Sequence, residues 1–266
     1  MSTYLVPLVA VVVAALAYAL GSHRRVGGRR AGVDAFLFAA GLGALVIALE
    51  PPLARLDEKL FWAHMSQHVL LLAVAPPLIL LGRPSSTIWR ALPLGFRRTT
   101  ARALVHGSWS APLRAVGRVL TTPPSALVVF CAAVLAWHIP VLYDATLQSS
   151  AVHVLEHALF LAAGLLFWSQ LIDSPPFRSP LDARRRAVWA ALGMAVGSAV
   201  GLALAFASAP LYAGYANLSS RPGGISALAD QHLAAGIMWV PGSIPFAAAF
   251  IVFVYRWADG SAREGP

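Results

Sequence analysis

Charge is scarce in this chain. Asp, Glu, Lys and Arg make up 12% of its 266 residues, about half of the roughly 25% carried by average soluble chains. Long apolar runs take their place, several of them near the ~20 residues needed to cross a bilayer as a helix, and an ordinary soluble domain is excluded. Sulfur is scarcer still: Cys131 is the single cysteine, which rules out a disulfide scaffold. A nucleophilic triad, a phosphate loop and a dinucleotide fingerprint are all missing, so an enzyme is not expected. Lys and Arg outnumber Asp and Glu by 20 to 11, a net charge of +9. That balance raises nucleic acid as a partner, but the distribution of the charge makes the idea unnecessary.

Apolar stretches bounded by charge, Pro or Gly predict seven spans, roughly over residues 4–20, 33–49, 62–81, 126–138, 151–172, 188–207 and 232–255, the fourth of them short and able to begin earlier, near Pro123. The expectation is an all-α, polytopic membrane helix bundle forming one domain over residues 1–266. Seventeen of the 20 Lys and Arg residues fall in the first, third and fifth connections and the tail, against Arg55, Lys59 and Arg221 in the others. The positive-inside rule then places the N-terminus outside and the C-terminus in the cytoplasm. Met1–Pro7 carries no basic cluster, so the first run reads as a retained span. The Arg-rich cytoplasmic loop 83–122 contains Phe96–Val105 and Leu113–Leu120, read as amphipathic helices on anionic membrane lipid. Pro76-Pro77 in the third span, and Pro241-Gly242 with Pro245 in the seventh, are expected to kink or break their helices and free backbone carbonyls.

Histidine placement is the most informative feature. His64 and His68 open the third span, His138 closes the fourth, His153 and His157 open the fifth, and His232 opens the seventh. All six sit at the outer ends. His64-Met65-Ser66-Gln67-His68 and His153-Val154-Leu155-Glu156-His157 are both H-x-x-x-H, which puts two rings on one helix face one turn apart, where they can share a metal ion. Imidazole suits copper, zinc and iron, and polar groups at membrane depth tend to mark function. A single His at a helix end is ordinarily an interfacial polar residue; two pairs and two singles at one depth point instead to a metal or cofactor site.

Asp144, Glu156 and Asp230 lie at the same level and are candidates to accept the far ring N–H of a ligand. Helix capping competes for Asp144 and Asp230, and Glu156 points about 100° from His157 on the helix, a better supporting partner than ligand. Cys131, Met65 and Met238 are minor ligand candidates, each more simply explained as packing.

These segments resemble the bacterial CtaG family, the multi-span group associated with assembly of caa3-type cytochrome c oxidase. The resemblance is carried by His64-Met65-Ser66-Gln67-His68 with Pro76-Pro77 and Gly82-Arg83-Pro84, by Trp137-His138-Ile139-Pro140 with Tyr143-Asp144, by His153 to His157 with Phe160 and Phe167-Trp168, and by Asp230-Gln231-His232 with Met238 to Gly242. It covers the second to the seventh span; the first span and loop 83–122 add little. It implies a plasma-membrane factor that matures a haem-copper oxidase, working with oxidase subunits and an extracytoplasmic copper carrier, with the family's histidine positions falling on the six named above. Copper is the expected metal. Rival readings are a metal-free assembly scaffold, a b-type haem protein with histidine ligands, and a zinc-dependent membrane hydrolase with Glu156 or Asp230 as base.

Overall fold

The computed structural model describes residues 2–23 and 29–263. Arg24 and Arg25, part of the first basic connection, lie outside the described residues. No strand is present among the described residues; the bundle is helical throughout, with one isolated bridge between Ser174 and Phe177. In a hydrocarbon surround the backbone amides find no water, so apolar runs of this length satisfy themselves as helices.

Among the described residues, six helices are long and apolar enough to cross a membrane: Leu5–His23, Arg30–Leu56, Phe61–Leu81, Ser150–Ser169, Ala183–Ala205 and Ala227–Gly260. The expected fourth span is short and begins at Pro123. The helix Pro123–Trp137 has 15 residues, about 22 Å at 1.5 Å per residue and short of a hydrocarbon core of ~30 Å. Together with Ala111–Leu120 it qualifies as a span only as a pair bent by 78°. Within the 83–122 connection lie helices Pro84–Ala91, Leu94–His106 and Ala111–Leu120, the last two with no buried residue.

In chain order, α1 is Ser2–His23, α2 Arg29–Leu49, α3 Leu53–Leu56, α4 Phe61–Val69 and α5 Ala75–Leu81, with a π-helical segment Leu70–Val74 joining the last two. Next come α6 Pro84–Ala91, α7 Leu94–His106, α8 Ala111–Leu120, α9 Pro123–Trp137, α10 Pro140–Gln148, α11 Ser150–Ser169, α12 Ala183–Ala205, α13 Ala213–Ala216 and α14 Ala227–Arg263. Helices α12 and α14 pack along each other, α4 packs on α14, and α11 packs on α9 and α5; α1 lies outermost against α2 and α6.

The third span and α11 are held together by a consequence of proline chemistry. Pro76 has no N–H, so the carbonyl of Leu72 lacks its helical donor four residues on. The indole Nε1 of Trp168 on α11 donates to that carbonyl at 3.0 Å. Close approach is possible because α11 carries glycine at the crossing: a Cβ on Gly164 would lie 2.8 Å from the Leu72 oxygen and from Pro76. Of the kink or break expected at Pro241 and Pro245, a break is not found. Helix α14 runs through both without interruption, as prolines can in a membrane helix packed against a neighbour along its length.

At the end of the bundle where α11 finishes, Arg186 is 8% exposed and fully employed. It donates to the carbonyls of Leu181 and Leu171 and, through Nη2, to both carboxylate oxygens of Asp173 at 2.8 and 3.0 Å. Partial burial works against the Asp173 carboxylate, but the hydrogen bonds from Arg186 and the Ser179 amide outweigh it and hold the group below its ordinary pKa. This clamp ties the start of α12 to the end of α11 and leaves the opposite end, where α4 and α11 begin, to carry the histidines.

Candidate metal centre

Two helices supply the centre. Helix α4 presents His64 and His68 one turn apart, and α11, pressed on the third span at Gly164, presents Glu156 and His157. One ligand atom from each of these four residues lies within 4.8 Å of all the others, a spacing one metal ion can bridge. His64 Nε2 is 3.1 Å from Glu156 Oε2, and His68 Nε2 is 3.4 Å from Glu156 Oε1. His64 and Glu156 have no exposed surface. Aromatic rings wall the cluster: Phe160 lies 4.3 Å from the His68 ring and Tyr143 5.0 Å from that of His64.

Hydrogen bonding favours one His64 tautomer. Burial holds the Tyr215 phenol well above its ordinary pKa, so it keeps its proton and donates it to the carbonyl of Asp57. Its oxygen can then only accept, from His64 Nδ1–H at 3.2 Å. In neutral His64 the lone pair therefore sits on Nε2, facing the lone pairs of Glu156. Two acceptors at that distance need a positive charge between them, a proton or a metal cation. Both ring nitrogens of His68 and Glu156 Oε1 are buried without a completed hydrogen bond among the described residues. Each such orphan costs about 1–3 kcal/mol, a cost that coordination would relieve at Glu156 Oε1 and at one of the two His68 nitrogens. The donor set thus fits a cation.

The other residues singled out by sequence fall in three groups. His153 and His138 border the cluster. His153 Nε2 is 3.1 Å from His157 Nε2, and the His138 ring lies 5.9 Å from that of His68, with Nδ1 bonded to the Val134 carbonyl and Nε2 buried and unbonded. His232 does not join: it is exposed on α14, with Nε2 3.5 Å from the Ala207 carbonyl. Two of the supporting carboxylates are engaged elsewhere. Asp230 accepts the Phe61 and Trp62 amides at 2.8 and 3.0 Å, and Asp144 those of Ala213 and Gly214 at 3.2 and 3.0 Å. Both serve as caps, though for helices other than their own. Glu156 reverses its expected role: it faces away from its neighbour on the helix but toward the α4 histidines, so its carboxylate is a member of the cluster. Met65 is fully buried packing, Cys131 is partly buried against the core, and Met238 borders a cavity of 40 Å³ shared with His68 and His138.

Asp57 and Tyr215 join the surroundings of the centre without any sequence motif to announce them. Asp57 Oδ2 lies 3.7 Å from His153 Nε2, and Tyr215 orients His64. The one signal for Asp57 is the Asp57-Glu58 pair in the connection that precedes the first histidine pair.

Residues 14–259 match the family described as cytochrome c oxidase caa3 assembly factor (Caa3_CtaG). Uncharacterized proteins of Mycobacterium bovis and Mycobacterium tuberculosis are each 28% identical over 256 residues, covering 95% of this chain and 38% of their own length. One from Mycobacterium leprae is 24% identical, covering 84% of this chain and 34% of its own. The chain therefore spans well under half the length of these relatives. No solved structure matches it. With apolar helices that can cross a bilayer six or seven times and a family match over nearly its whole length, the chain is a multi-pass membrane protein that belongs to the caa3-type cytochrome c oxidase assembly factor family.

Proposed function

We propose that this protein carries copper as cargo, holding it at His64, His68, His157 and Glu156 and handing it to a haem-copper oxidase during assembly. The observation that supports this reading is the convergence of three imidazoles and one carboxylate, buried and with His68 and Glu156 Oε1 short of hydrogen bonds, at one end of two adjacent membrane helices. Charge favours a monovalent occupant. One carboxylate in an apolar surround is neutralised by a single positive charge, so Cu(I) leaves the cluster neutral. A divalent ion such as zinc leaves a net charge that the membrane interior disfavours. Haem is disfavoured, because i, i+4 histidine pairs on one helix face do not supply axial ligands from opposite sides of a macrocycle.

The arginine asymmetry supports a location of the cluster on the extracytoplasmic side, where a soluble carrier would deliver the ion and an oxidase subunit would receive it. The test is elemental analysis of the detergent-purified protein, grown with copper and handled without oxygen. Near-stoichiometric copper is expected in the wild type, and loss of it in the His68→Ala/His157→Ala double variant at unchanged membrane levels, with lower oxidase activity in cells. Full copper content in the double variant would overturn the assignment, and stoichiometric zinc or iron would replace the metal.

A further inference from the structure

Beside the buried cluster, on the side facing the end of the bundle, two cavities adjoin. One of 150 Å³ is bordered by Asp57, Glu58, Gln67, Ser150, His153 and His157, and one of 330 Å³ again by Asp57, Glu58, Ser150 and His153. The first reaches a member of the cluster, His157; the second does not. Glu58 is exposed at this mouth while Asp57 is 2% exposed. Burying a carboxylate with an unbonded oxygen is costly: its Oδ1 has no hydrogen bond among the described residues, and its Oδ2 lies 3.7 Å from His153 Nε2. The side-chain amide of Gln67 is in a similar state. Its nitrogen donates to the Ala48 carbonyl at 2.8 Å, while its buried oxygen is unbonded among the described residues, on a side chain that borders the same cavity. Two unsatisfied buried oxygens and an imidazole thus border one polar cavity beside the cluster.

Resting on the copper reading above, we infer that Asp57 and His153 form a second, outer cation station through which the ion passes to the buried cluster by way of His157. The distances make a graded path. Asp57 to His153 is 3.7 Å, His153 Nε2 to His157 Nε2 is 3.1 Å, and His157 lies within 4.8 Å of the remaining cluster atoms. An ion at the mouth exchanges some of its water for the Asp57 carboxylate and the His153 imidazole. It next shares His153 and His157, whose facing nitrogens cannot both present lone pairs without a charge between them, and then leaves His153 for the closed set around Glu156. No bond other than coordination changes, and each transfer replaces one donor at a time. The mouth also sets the sign of the traveller, since both formally charged side chains that border it, Asp57 and Glu58, are acidic.

A station on the path changes how fast the buried site fills and empties, not how tightly it holds. Stopped-flow loading of the full-length purified protein with chelator-buffered Cu(I), followed by removal with excess chelator, reads both rates. Asp57→Asn and His153→Gln are expected to slow filling by about tenfold or more, the lower range for a charged cleft steering an ion, and to slow emptying to a similar degree. The double variant should be no slower than the slower single. Wild-type rates in both singles would overturn the outer station and leave the copper reading standing. Loss of the tightly held ion in Asp57→Asn would also overturn it, by making Asp57 part of the resident site. A wild-type protein that takes up no Cu(I) would remove both readings. Unchanged helical circular dichroism in each variant excludes misfolding as the cause of slow loading.

Discussion

Asp230 shows how a carboxylate on one helix can serve the start of another. Its two oxygens take the Phe61 and Trp62 amides in the first turn of α4, the very turn that carries His64. Replacing a side-chain cap by Ala costs about 0.5–2 kcal/mol. Asp230→Ala is therefore expected to lower the denaturation midpoint of the purified protein while leaving copper per folded chain unchanged. Copper loss at unchanged stability would instead make Asp230 part of the centre. At this scale the sequence is informative where local geometry suffices. The i, i+4 register of His64 and His68 follows from helix periodicity alone, whereas Tyr215 and Asp57 meet His64 and His153 across long stretches of chain that no local pattern encodes. Glu156 escapes a sequence reading for the same reason: periodicity gives its direction relative to His157, but the packing of α11 beside the third span decides which neighbour it faces.

Helix packing decides whether these side chains meet. The crossing of α11 over the third span rests on Gly164 and on the carbonyl released by Pro76 and taken by Trp168. Gly164→Ala puts a methyl 2.8 Å from a backbone oxygen and must move α11 away, carrying Glu156 and His157 from His64 and His68. Copper affinity is expected to fall by about tenfold or more, as for loss of a supporting contact in a metal site, with insertion preserved. Gly236→Ala, which meets nothing within 4 Å, is the control and should bind as wild type; equal binding by both variants would separate the crossing from the centre. The spans themselves are legible because hydropathy and length report them directly. Neighbour relations are not, since a helix that faces lipid on one side and protein on the other is apolar on both and shows no periodic face. The fourth span is legible as a short apolar run no longer than α9, but the bend that precedes it at Thr121–Thr122 has no hydropathy signature.

In the sequence, 17 of the 20 Lys and Arg residues fall in the connections at one end of the spans, and the six histidines His64, His68, His138, His153, His157 and His232 fall at the other. If the arginine end is cytoplasmic, a cysteine introduced at Ser219, in the connection before α14, reacts with a membrane-impermeant maleimide on intact cells, and one at Arg178, beyond α11, reacts only after permeabilisation. Both experiments use a Cys131→Ala background, and the reverse pattern would rule out delivery from the extracytoplasmic side. The depth of the centre has an electrical consequence. His68 stands seven residues into the third span, about 10 Å at 1.5 Å per residue, or roughly a third of a ~30 Å core. Moving one charge through the full membrane field is worth ~2.3 kcal/mol per 100 mV, so a monovalent ion reaching the cluster gains about 0.8 kcal/mol, roughly a fourfold bias at 100 mV. In an energised cell, inside negative, the resting potential itself would help keep the ion seated, and its release toward the outer surface would run against that field.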